Sequence, residues 1–202
     1  MAKSALSNAF KMPTPVKISG RTSSITNSFV NGIIPAIMPG DEEIALALEV
    51  LGMKASDVLG AYCGDPAPEW AHLNAIVRGK RPTGYITEIH NLVPACGKCN
   101  QSKGNKPWRK WMFGPSPLSP ASRGVGDVGE RAERIAEYER RFPPMQIDFE
   151  SMVDGGLWEA YWDAHRRLVE QMKRCEELAA AVRAEVSAQV ELLSDRRIDS
   201  GH

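Results

Sequence analysis

The residue types with the most chemistry lie between Tyr62 and Met112. Cys96-Gly-Lys-Cys99 is a CxxC knuckle, and Cys63 stands beside a glycine in a second, incomplete one. Thiolates at such spacing could hold zinc tetrahedrally and staple a module too small to be stabilised by its core alone. Equally, three reduced thiols could fill a core. His72 sits in the short, mostly apolar stretch Trp70-Ala71-His72-Leu73, and Asn91 and Asn100 flank the CxxC, with Lys103 just beyond. A neutral imidazole titrates near working pH and can take a proton from a water attacking phosphorus. Thiolates, a histidine, two amides and a lysine in one small module suggest metal-assisted phosphodiester chemistry.

In this arrangement the stretch resembles the HNH endonuclease family; the overall size and the long C-terminal helix resemble, less specifically, its small restriction-type members. His72 matches that family's first histidine, Asn91-Leu92 its Asn-Leu pair, and Cys96-Gly-Lys-Cys99-Asn100 its CxxC-Asn. The matching stretch covers about a quarter of the chain. The resemblance implies a ββα-metal core and hydrolysis of phosphodiester bonds in double-stranded DNA with Mg2+ or Mn2+. It also implies roles: His72 as general base, Asn91 orienting it through a hydrogen bond, and Asn100 a ligand of the catalytic metal through its amide oxygen. Lys103 would neutralise a phosphate. Read from residue type alone, Asn91 is also an ordinary turn residue, Asn100 a helix cap and Lys103 a solvated lysine.

Two departures from the family pattern bear on activity. Ala71 stands where the family has Asp or His as a metal ligand, and Gly60 where the first knuckle has a cysteine. With Gly60 there, a zinc site on Cys63, Cys96 and Cys99 needs water or another side chain as its fourth ligand; His90 is near in sequence. With Ala71 there, the resemblance implies an impaired nuclease. It is either an inactivated variant of an active enzyme or a natural HNH-like module that binds DNA without cutting.

Charge is distributed unevenly in a chain of net charge zero. Residues 72–112 hold Arg78, Lys80, Arg81, Lys98, Lys103, Lys106, Arg109 and Lys110 against the single acid Glu88. Lys3, Lys11, Lys17 and Arg21 make residues 1–40 a basic arm. A locally basic module fits a polyanion footprint, here DNA. No run of 18 apolar residues exists, so no membrane span is expected. The beginning of the sequence lacks the apolar core of a secretory signal. Four cysteines, two of them in a CxxC, fit metal binding in a reducing compartment such as the cytoplasm.

The elements that must position these groups suggest an α+β fold with helical decoration. Residues 1–30 show little periodicity and read as a tail or a DNA-ordered arm; Phe29 to Ile37 reads as extended. A helix capped by Asp41 runs to about Leu51, with a short second one at Ser56-Asp57. The nuclease-like module, with the preceding helix, spans 41–113. Its strands are expected through Trp70 to Leu73 and at Tyr85 to Ile89, with a basic loop from Arg78 to Gly84 and a loop from Asn91 to Ala95. Helices are expected to open at Cys99 and, behind Pro107, at Trp108. Residues 114–129, rich in Pro, Gly and Ser, read as a linker or long loop, and 130–202 as a helical C-terminal region. There, apolar or tolerated residues from Trp158 through His165, Leu168, Met172 and Cys175 to Leu193 alternate at spacings of 3 and 4. That pattern predicts a helix over 157–195, about 58 Å long, carrying a coiled-coil seam for a homodimer.

Overall fold

The computed structural model describes residues 13–67 and 69–199; Lys3 and Lys11 of the basic arm lie outside them. The fold is α+β, and the chain divides into two compact units. One is Thr26–Trp158; the other is the described part of 1–25 with that of 159–202.

Helix α1, Thr22–Asn31, occupies the segment read as a tail. Thr26 and Val30 are buried and Ile25 and Phe29 half-buried. That spacing is helical, but the serines, threonines and asparagines between mask it in the sequence. Helix α2, Asp41–Val50, starts from Gly40 rather than Asp41: the Glu43 carboxylate accepts from the Gly40 amide at 2.8 Å, and Asp41, Glu42 and Glu43 fill the positive first turn. Gly52, at φ +72°, lets the chain leave the helix. Ser56-Asp57 is a turn closed by a Lys54–Asp57 bridge, not a helix.

Strand β1, Glu69–His72, pairs antiparallel with β4, Leu92–Ala95, in the register Glu69–Ala95, Trp70–Pro94, Ala71–Val93 and His72–Leu92. The second strand is therefore not at Tyr85–Ile89. Tyr85 and Thr87 instead make single bridges, to Gln146 and Ala36. The segment read as a loop from Asn91 to Ala95 thus forms β4 from Leu92 on; it accommodates Pro94 because in a two-stranded sheet both strands are edges, which tolerate a missing amide. The basic loop contains a small hairpin, β2 Val77–Arg78 and β3 Arg81–Pro82. It turns through Gly79 at φ +59° and Lys80 at φ +66°, the two left-handed residues of a type I′ turn.

Helix α3, Gly97–Lys103, follows β4 directly with Cys96 as its N-cap. Helix α4, Trp108–Met112, starts behind Pro107, and α5, Val128–Arg141, ends before Pro143-Pro144. The 114–127 segment is an ordered part of the same unit. Ser119 is fully buried with its hydroxyl donating to the Gly114 carbonyl at 2.7 Å, and the Ala121 amide donates to Met112 at 3.1 Å. One apolar cluster joins α2, β1, β4, α3, α4 and α5 through Ala47, Ala71, Val93, Cys99, Trp111 and Ile135.

Helix α6 runs over Gly155–Asp199. In the second unit Tyr161, Trp162 and His165 make edge-on ring contacts at 5.4 and 5.8 Å, and the Ser19 amide donates to Glu176 at 3.1 Å. Cys175, expected as seam core, is half-buried and accepts from the Gln171 amide. Leu178, Val182, Val186, Val190 and Leu193 are each more than half exposed (54–62%). Among the described residues no helix is long and apolar enough to cross a membrane.

Candidate metal centre and active site

A tight loop presents Cys63. The Gly60 amide donates to Asp65 at 2.7 Å, the Cys63 and Gly64 amides return to the Gly60 carbonyl at 3.1 and 2.8 Å, and Gly64 takes φ +76°. The β4–α3 junction presents Cys96 and Cys99. The loop and junction bring the three buried sulfurs within 4.8 Å of one another, Cys63 and Cys96 at 3.5 Å. Tetrahedral zinc with bonds of about 2.3 Å needs sulfurs roughly 3.8 Å apart, so the trio could bind a metal such as zinc.

The 114–127 segment supplies a residue that no motif or spacing along the chain marks. Arg123 Nη1 donates to Cys99 Sγ at 3.4 Å while its other nitrogen ion-pairs with Asp65, whose carboxylate accepts from Cys96 Sγ at 3.7 Å. Within the trio, the hydrogen bond from Cys99 is the largest cause holding the Cys63 thiol down, at about 6; burial opposes it, and Asp65, Cys96 and Arg123 contribute further hydrogen bonds. Cys99 is correspondingly pushed up, first by that same bond. His90 turns away and stacks on Phe142 at 5.2 Å.

His72 ends β1. Its Nε2 lies 2.9 Å from the Thr87 hydroxyl. Burial, then the Lys103 charge, lowers its pKa, so the ring is neutral near pH 7. Thr87, not Asn91, is the partner that orients it. Asn91 is fully buried and uses its amide on the backbone: Oδ1 accepts from the Asn74 amide at 2.8 Å, and Nδ2 donates to the Asn74 and Ile86 carbonyls at 3.1 and 3.2 Å. It thereby fixes both ends of the insertion between the strands.

Lys103 is 2% exposed and cannot serve as a surface phosphate contact. Its ammonium donates to the His72 carbonyl at 2.8 Å and to Gly104 at 3.4 Å, tying α3 to the end of β1. Burial, then Lys106, lowers its pKa to about 8. Asn100 donates through Nδ2 to Glu69 Oε2 at 2.7 Å. Ala71 is 2% exposed and belongs to the apolar cluster with Val93 and Cys99. The carboxylate beside Asn100 is therefore Glu69, two residues before the expected position and on the same strand face.

Of the remaining basic residues, Arg78, Lys80, Arg81, Lys98, Lys106, Arg109 and Lys110 are exposed. Arg109 pairs with Glu133 at 2.6 Å and Lys106 donates to the Ser102 carbonyl. Glu88, the acid of this stretch, is buried and accepts from the Met145 amide at 2.6 Å. Comparisons with protein-family models, curated proteins and solved structures find no match for this chain.

Proposed function

We propose that the chain is an HNH-type, metal-dependent endonuclease module acting on duplex DNA, stapled by zinc at Cys63, Cys96 and Cys99 and working as a homodimer. The observation that carries this reading is the strand–strand–helix arrangement of β1, β4 and α3. It puts a neutral His72 on the strand and Asn100 on the helix, with Lys103 of α3 bonded to the His72 carbonyl itself. His72 then takes the proton of the attacking water, and the Asn100 and Glu69 side chains offer oxygen donors to a hard ion such as Mg2+ or Mn2+. Exposed Arg78, Lys80, Arg81, Lys98, Lys106, Arg109 and Lys110 hold the DNA backbone. Two identical sites serve two strands, with the apolar stripe of α6 as the dimer surface.

One observation favours a second reading, a DNA-binding module that does not cut: Ala71 contributes only a methyl group to the apolar cluster. The substitution Ala71→Asp separates the two. A carboxylate there is buried and costly unless an ion takes it. On the nuclease reading Mg2+ or Mn2+ raises the melting temperature of Ala71→Asp and the variant nicks plasmid DNA. In that background His72→Ala lowers the rate by about 10²–10⁴ and leaves DNA affinity unchanged. An Ala71→Asp protein that binds DNA, gains no stability from either ion and cuts nothing would leave the binding module as the function.

A further inference from the structure

Gly60 stands at the knuckle position from which a further side chain would reach the thiol trio. A β-carbon there would lie 3.4 Å from Cys63 Sγ, 3.3 Å from the Asp65 carbonyl and 3.4 Å from the Cys96 amide. Gly60 is not among the glycines with positive φ, so its backbone does not demand glycine. The nearby protein donors are committed elsewhere. The Asp65 carboxylate, though it accepts from Cys96 Sγ at 3.7 Å, is ion-paired with Arg123, and His90 is stacked on Phe142. Among the described His, Cys, Asp and Glu residues, only Cys63, Cys96 and Cys99 form a group of three or more with ligand atoms mutually within 4.8 Å.

We propose that the trio is a three-thiolate metal centre whose fourth coordination position, beside Gly60, belongs to an exchangeable ligand from solution. That ligand is water, replaceable by a small thiol. Tetrahedral zinc completes its shell, and three protein ligands with an open position are the pattern of reactive rather than purely structural sites. Three thiolates around a divalent ion leave one negative charge, which the Arg123 guanidinium, shared with Asp65 and donating to Cys99 Sγ at 3.4 Å, offsets in part. The tight contacts around a Gly60 β-carbon limit the incoming group to a slim one, water or an unbranched thiol. The inference rests on the metal reading of the trio and not on nuclease activity.

Cobalt substitution of the full chain tests it, because sulfur-to-cobalt charge-transfer absorption scales with the number of thiolates. The unaltered protein is expected to show a three-thiolate spectrum. Added 2-mercaptoethanol should raise it by about a third, as a fourth sulfur joins three. Gly60→Cys should show the four-thiolate spectrum unaided, ignore added thiol and hold zinc more tightly than the unaltered chain. Asp65→Ala should keep both the spectrum and the thiol response of the unaltered chain. A protein indifferent to added thiol, or an Asp65→Ala variant with an altered spectrum, would overturn the proposal, the latter in favour of Asp65 as ligand. Failure to bind cobalt would reduce the trio to packed thiols and sink the proposal, while the plasmid assay would still judge the nuclease reading separately. Should Gly60→Cys not fold, the thiol titration of the unaltered chain decides alone.

Discussion

Lys103 is the residue whose meaning changes most between sequence and structure. In a run of basic residues it reads as one more phosphate contact; buried, it is a clamp between α3 and the carbonyl of His72. Its burial carries a pH signature. The folded protein releases this proton near pH 8, whereas an unfolded lysine keeps it until about 10.4. Between those values the unfolded state binds more protons, so this group makes stability rise with pH across the window. Relative to Lys103→Met, the unaltered chain should gain on the order of 3 kcal/mol between pH 8 and 10.4, measured by urea unfolding at each pH. Parallel pH profiles for the two proteins would show that Lys103 is not buried as a cation. His72 shifts in the same direction: its lowered pKa makes stability fall as pH drops below the ordinary histidine value.

Among the elements, the 114–127 segment shows how composition can mislead. Proline, glycine and serine mark an irregular path, and the path is irregular, but it is packed. Ser119 is sealed in and Arg123 reaches the sulfur of Cys99. The segment therefore belongs to the thiol centre and does not separate two domains. With zinc bound, a chelator should lower the melting temperature of the unaltered protein. Arg123→Ala should lower it less than the chelator does. It should also quicken alkylation of Cys96 and Cys99 in the metal-free protein severalfold, because it removes the pair that covers them. An unchanged alkylation rate would mean that the segment does not guard the sulfurs. The strand assignment illustrates a related limit. Tyr85–Ile89 has strand-like residues but finds no continuous partner, whereas Leu92–Ala95 pairs with β1 despite Pro94. Pairing is a property of two segments, and one segment's composition cannot declare it.

At the scale of the whole molecule, the long helix runs as its 3-4 spacing predicts. The first turns bury Trp162 and His165, while Val182, Val186 and Leu193 of the seam stand exposed. Isolated apolar residues on a helix surface are ordinary, but a stripe sustained at heptad spacing is the surface the proposed dimer would use. Replacing Val182 and Val186 by Glu should convert a dimer to a monomer in sedimentation velocity. Helix content of the Thr26–Trp158 unit should stay unchanged by circular dichroism. A protein monomeric before the change, or dimeric after it, would remove the stripe from the dimer reading. Leu168 and Met172 are weaker places for the same test, since Met172 is already half-buried in the single chain.

The sequence by itself determined what depends on neighbours along the chain. The start of α2 at its acidic first turn, the start of α4 behind Pro107, the end of α5 before Pro143-Pro144 and the length of α6 all follow from local capping and periodicity. The CxxC also marked the thiol centre, because two of its three cysteines, Cys96 and Cys99, lie on one short stretch. Tertiary structure decided what depends on residues far apart. Thr87 rather than Asn91 holds His72, Glu69 rather than position 71 faces Asn100, and Arg123 closes on Cys99 across 24 residues. It also decided that Lys103 is interior. Whether a side chain is buried, and which polar group then satisfies it, is set by the packing of distant segments. No spacing within a single segment encodes that.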